Sequence, residues 1–154
     1  MELVRENEIR GRVGAVFDHQ RDRLAGLLPQ ARIEHVGSTA VPGSLTKGDL
    51  DICLSVRAEE FPSAAAVLSA AFTVHQPENW TDGLASFVAP AEDEVEIGIQ
   101  LVVTGGPEEE WFIGWRERLR ADAELRERYD RCKAEHRDAP VEAYRAAKER
   151  LILG

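Results

Sequence analysis

Cysteine is nearly absent from this chain: Cys53 and Cys132 are the only two in 154 residues. They stand far apart with no Cys-x-x-Cys, which excludes a disulfide framework and a cysteine-built zinc site. No segment reads as a secretory leader, so a reducing, cytoplasmic setting is expected. No apolar run approaches the roughly 20 residues of a membrane span, and a soluble protein is expected. Positive charge is also scarce, with 19 Lys and Arg against 28 Asp and Glu and a net charge of −9. Phosphate backbones and anionic bilayers demand clustered cations, so the charge balance argues against a broad surface for nucleic acid or anionic membrane. There is no Walker-type Gly-x-x-x-x-Gly-Lys-Ser/Thr, no repeat, no linker and no low-complexity stretch. What remains is ordinary globular composition, 44% hydrophobic. The length suits one domain, 1–154, with a genuine core.

Periodicity lays out the elements. Ile9, Val13, Val16 and Phe17, then Leu24, Leu27 and Leu28, recur at helical spacing and predict a helix over 6–28, stopped by Pro29. Strands are predicted at 32–36 and 49–56, followed by a helix over 58–71 with Pro62 in its first turn. A short strand at 72–74 and a hairpin of 84–89 with 95–103 complete a small mixed sheet. From about 107 the pattern turns helical, with Trp111, Trp115 and Leu119 in one packing stripe. Helices over 123–136 and from Pro140 follow. Arg116, Arg118, Arg120, Arg126, Arg128, Arg131 and Lys133 fall in this region, interleaved with glutamates. Ion-paired, solvated helix faces are expected there rather than an RNA contact. The fold class is α+β, a single domain whose sheet-to-helix transition leaves open a partly detached helical lid.

One run carries chemistry. Asp49 and Asp51 alternate with Leu50, Ile52 and Leu54, so both carboxylates are expected on one face of a strand. Neighbouring carboxylates repel, and they share a proton or a hard cation such as Mg²⁺ or Mn²⁺. Ten residues earlier (39 to 48 intervene), an apolar strand ends in Gly37-Ser38. A glycine there admits close backbone approach, and a neighbouring hydroxyl with exposed N–H groups makes an anion-binding concavity. Each half has an ordinary alternative, a solvated strand edge for the acids and a plain turn for Gly-Ser. Lys47, two residues before Asp49, is placed either to neutralise a triphosphate or to stay solvated. His35 either faces the cleft or is a structural hydrogen bonder. Cys53 alternates onto the face of the two aspartates and is assigned no chemistry.

The combination Val36-Gly37-Ser38 with Asp49-Leu50-Asp51 resembles the nucleotidyltransferase superfamily of DNA polymerase beta. The longer string His35-Val36-Gly37-Ser38-Thr39-Ala40-Val41-Pro42-Gly43, with Lys47 and Asp51-Ile52, is similar to the GrpB-like branch of that superfamily. The resemblance continues through Gly105-Gly106-Pro107-Glu108-Glu109-Glu110-Trp111, Tyr129 and Ala143-Tyr144-Arg145-Ala146-Ala147-Lys148.

That resemblance implies a nucleotidyltransferase-like α+β fold. In it Asp49 and Asp51 bind the metal, Mg²⁺ or Mn²⁺, and Gly37, Ser38 and Lys47 bind the phosphates of a nucleoside triphosphate. It also implies a third acid on a later strand. Spacing puts Gln100 at that position, and Glu96, four residues earlier on the same face of the strand 95–103, is the substitute. Two functions follow: transfer of a nucleotidyl group to an unknown acceptor, with Asp49, Asp51 and Glu96 catalytic, or a non-catalytic nucleotide- and metal-binding module.

Overall fold

A computed structural model describes residues 2–154. Two strands, β1 (Val4–Arg5) and β3 (Leu45–Thr46), pair antiparallel beside a five-stranded sheet. The larger sheet comprises β2 (Arg32–Val36), β4 (Leu50–Val56), β5 (Thr73–His75), β6 (Leu84–Glu92) and β7 (Val95–Val103). Its order is β2-β4-β7-β6-β5, with β4 and β7 parallel and every other neighbour antiparallel.

Alternation in the two central strands separates core from site. Leu50, Ile52 and Leu54 of β4 and Ile97, Ile99 and Leu101 of β7 are buried on one face. There they meet α1 (Glu6–Leu27) and α2 (Phe61–Ala71) in one cluster with Val13, Leu24 and Leu68. Each such side chain contributes about 1.5–3 kcal/mol by leaving water. This demand fixes the register, because a slip of one residue would turn the whole apolar set outward. The opposite face therefore carries Asp51, Cys53 and Ser55, with Gly98, Gln100 and Val102 alongside them on β7.

The helix over 6–28 ends at Leu27, where the amide of Leu28 closes on the Leu24 carbonyl. Residues 58–60 form a single 3₁₀ turn, and α2 starts at Phe61. β6 runs on to Glu92, past the bound of 89 read from sequence, because Asp93 and Glu94 both take positive φ, 48° and 65°. That two-residue turn matches the twist of the flanking strands. β1 and β3 have too few residues for periodicity to reveal.

After β7 the chain is helical: α3 (Pro107–Glu109), a π-helical turn (Glu110–Gly114), α4 (Trp115–Ala121), α5 (Ala123–Glu135) and α6 (Val141–Leu153). Asp122 caps α5 by accepting from the Leu125 amide at 3.0 Å. These helices build a second core from Trp115, Leu119, Leu125, Tyr129 and Ala147, which takes in Val41 from the loop after β2. The helical part is thus packed onto that loop rather than detached from the sheet. Cys53 is fully buried with Val36 and Val102 beneath Phe112 and Ile113.

Truncating Ile99 or Leu54 to alanine is expected to cost about 2–5 kcal/mol. Trp111→Ala, at a side chain 45% exposed, should cost less than about 0.5 kcal/mol. Urea unfolding measures both, and similar costs at the two kinds of position would contradict this core.

Candidate functional site

Asp51 lies between two glycines. It pairs with Val36 on β2 and Gly98 on β7, so its carboxylate projects between the end of one strand and the middle of the other. A Cβ at Gly37 would come within 2.4 Å of Asp51 Oδ2, and one at Gly98 within 3.3 Å of Oδ1. Gly37 adopts φ 80°, ψ −176°, a conformation closed to other residues. Burial raises the Asp51 pKa to about 6, with the nearby Asp49 charge adding and Lys148 and Lys47 opposing. This is a carboxylate short of a counter-charge.

The loop after Gly37 is held by its own hydroxyls. The Ser38 and Thr46 hydroxyls are 2.6 Å apart, Ser44 Oγ donates to the Ser38 carbonyl at 2.6 Å, and the Gly48 amide donates to Thr46 Oγ1 at 3.0 Å. Lys47 is exposed, its ammonium 3.1 Å from Asp49 Oδ2. Asp49 precedes β4 rather than lying in it, and its carbonyl accepts from Thr39 Oγ1 at 2.9 Å. His35 faces α1: its ring stacks on Phe17 at 5.2 Å, and its Nε2 donates to Thr39 Oγ1 at 2.8 Å. Burial, with Arg120 and Arg116 nearby, pulls its pKa to about 4, so it is a neutral structural residue.

A cleft of about 540 Å³ opens between this loop and the helices, lined by Gly37, Ser38, Lys47 and Asp51 on one side and by Tyr129, Tyr144, Arg145 and Lys148 on the other. Tyr144 donates to the Tyr129 hydroxyl at 2.9 Å, and the Lys148 ammonium lies 5.6 Å from the Tyr129 ring centre. Burial lowers the Lys148 pKa while Asp51 raises it. Asp49 does not line the cleft. The cleft-side residues of α5 and α6 were visible in sequence only as the family-like Tyr129 and 143–148 string, with nothing to aim them at Asp51.

The basic residues of the helices are largely engaged. Buried Arg116 meets Glu34 at 3.0 Å and the His35 carbonyl at 2.9 Å. Arg120 reaches the Ala40 carbonyl, Arg126 that of Pro42, and Lys133 that of Leu45. The expected solvated, ion-paired faces are thus only part of the picture, because several of these cations tie helix to loop.

On β7 the residue abreast of Asp51 is Gly98. Glu96 lies two residues before it and Gln100 two after, each roughly 7 Å along the strand. Glu96 is exposed. Gln100 stands beside Cys53 and accepts from Ser86 Oγ at 2.6 Å. Among the described residues, no three His, Cys, Asp or Glu side chains converge as a metal cage. The residues present do fit a cation that arrives with phosphates: Asp51 is under-compensated and its flanks are bare, and Mg²⁺ is commonly held by one or two carboxylates plus substrate phosphates.

A family model described as GrpB protein matches residues 7–153, and the chain belongs to the GrpB family. It is 31% identical over 153 residues to a UPF0157 protein of Vibrio cholerae, covering 99% of this chain and 80% of that one. It is 32% identical over 141 residues to a UPF0157 protein of Deinococcus radiodurans, covering 92% and 65%. In structure it is similar to conserved protein GrpB from Enterococcus faecalis, with TM-score 0.70, 16% identity and 97% of each chain covered. It also resembles Cid1 poly(U) polymerase bound to MgGTP, with TM-score 0.57, 13% identity and 81% of this chain against 40% of the polymerase. The fold is therefore that of GrpB proteins and nucleotidyltransferases, and the chain spans about two-fifths of the polymerase. Among the described residues no helix is long and apolar enough to cross a membrane.

The glycine cradle predicts coupling. Gly37→Ala should cost about 1–3 kcal/mol from backbone strain alone. The added clash should make its cost at least about 1 kcal/mol smaller in an Asp51→Ala background, as a double-mutant cycle reads it; independent effects would refute the contact. The Asp51 carboxyl has a folded pKa of about 6 against an ordinary 3.8, so the folded state binds its proton more tightly. Native stability relative to Asp51→Asn should therefore be greatest below pH 4 and fall as pH rises to 6, by about 1–3 kcal/mol in metal-free buffer. Chemical denaturation at pH 4 and pH 7 measures this, and a constant difference would rule it out.

Proposed function

We propose that this GrpB-family protein binds a nucleoside triphosphate together with Mg²⁺ or Mn²⁺ and transfers its nucleotidyl group to an acceptor hydroxyl. The observation that carries this reading is the Asp51 carboxylate, flanked by Gly37 and Gly98, at the wall of a cleft that also holds Ser38, Lys47 and Lys148. Gly37 and Ser38 offer the backbone and hydroxyl contacts for phosphate, and the lysines flank it with charge. Lys148 suits this role, since its ammonium stands over the Tyr129 ring at the cleft wall and is drawn to the Asp51 charge.

Asp49 and Asp51 would hold the cation, whose chemistry is charge neutralisation and orientation of the phosphates. The chain's own share is electrostatic. Lys47 and Lys148 oppose the negative charge that spreads over the phosphoryl oxygens, and the apolar walls around Tyr129 and Tyr144 limit water. The rigid loop sets the phosphates in line for displacement. Glu96 has the reach of a long side chain toward the Asp49 end of β4, and in this reading it completes the acidic set.

A second reading is favoured by β7. The residue abreast of Asp51 is Gly98, and Gln100 is engaged with Ser86. A protein with two acids is suited to binding a nucleotide without turning it over.

Incubation with each labelled triphosphate and Mg²⁺ or Mn²⁺ separates the two. Transferase activity predicts pyrophosphate release that falls at least 100-fold in Asp51→Asn. The binding module predicts no release but metal-dependent thermal stabilisation, lost in the same variant. Absence of both effects would sink both readings.

A further inference from the structure

The two cations of α4 and α5 that border the cleft are both engaged, Arg116 by Glu34, Glu117 and the His35 carbonyl, and Lys133 by a main-chain group of the loop that carries Ser38 and Lys47. β3 explains why such partners exist. Its Leu45 faces Arg5 of β1, and in this register the β1 side is served through neighbouring residues, with the Glu6 amide donating to the Ser44 carbonyl at 2.8 Å. The Leu45 amide and carbonyl point to the strand's other edge, where no strand lies among the described residues. Two side chains one turn apart on α5 take them: Asp130 Oδ1 accepts from the Leu45 amide at 2.9 Å, and Lys133 Nζ donates to its carbonyl at 2.5 Å. Both side chains are buried. Asp130 is also 3.1 Å from Arg5, so α5 and β1 close on β3 from opposite edges.

We propose that Asp130 and Lys133 are positioning residues for the phosphate site, acting as a side-chain substitute for a missing strand that fixes the Gly37–Lys47 loop. The consequence passes along the chain by short bonds. Leu45 is flanked by Ser44, which holds the Ser38 carbonyl, and by Thr46, which holds the Ser38 hydroxyl. Lys47 follows at once and meets Asp49. α5 thus belongs to the phosphate site as its frame, and Lys133, though it borders the cleft, serves the loop. This inference rests on the triphosphate reading for its ligand but not for its geometry.

The test compares wild type with Asp130→Leu/Lys133→Met, which removes both the acceptor and the donor without leaving a lone buried charge of the pair, and with Arg128→Met as a control for loss of an exposed cation on the same helix. Amide exchange in the ligand-free proteins should be at least tenfold faster across 38–47 in the double variant, with β4 and β7 unchanged. The dissociation constant for a magnesium–nucleoside triphosphate complex should rise at least tenfold. Asp130→Glu should recover part of both losses relative to Asp130→Ala, and Arg128→Met should alter neither. Unchanged exchange in the loop, or loosened exchange with affinity within twofold of wild type, overturns the proposal. If wild type binds no triphosphate, the proposed function fails, and the exchange arm by itself then decides whether α5 holds the loop.

Discussion

A carboxylate placed where its charge is poorly accommodated governs the arrangement around it. Asp51 is pinned to its position by the alternation of β4, whose other face is required by the core. It is desolvated there and repelled by Asp49, so something positive must be near. The chain supplies Lys47 from the loop and Lys148 from the last helix, neither of which seals the cleft. Bare backbone at Gly37 and Gly98 keeps the carboxylate reachable, where any larger residue would cover it.

The helices and the loop depend on each other in turn. A loop with few apolar residues cannot bury enough surface to hold its own shape. Here Val41 alone enters the helical core, and polar bonds do the rest. Arg116, Arg120, Arg126 and Lys133 each take a carbonyl between His35 and Leu45. Acidic net charge and a basic helical stretch are thereby partly reconciled: Arg116 and Lys133 are buried, and Arg120 and Arg126 spend hydrogen bonds on main chain.

The sheet and its helices were largely legible because they follow the 2.0 and 3.6 periods of burial. The bounds at Leu27, Val36 and Val103 lie within a residue of those read from the pattern, and β4 starts one residue later than read. Gly37, Ser38 and Asp51 were legible as neighbours because their motif is local. What was hidden depends on register and on distant sequence. Nothing local says that Gly98, and not Gln100 or Glu96, stands abreast of Asp51. Arg116 and Lys133 read as surface charges because their partners are carbonyls some 80 residues away in the chain. His35 could not be assigned a face without knowing that Phe17 lies under it.

The paired grip of β1 and α5 on β3 also bears on the order in which the chain can mature. Ribosomal synthesis delivers the Gly-Ser loop and both aspartates early, yet the residues that frame them emerge only after position 116, and Lys148 later still. During that interval Lys47 is present to oppose the acids and Lys148 is not. The cleft is consequently among the last features to become native, since its closure must wait for contacts of the longest separation in the fold.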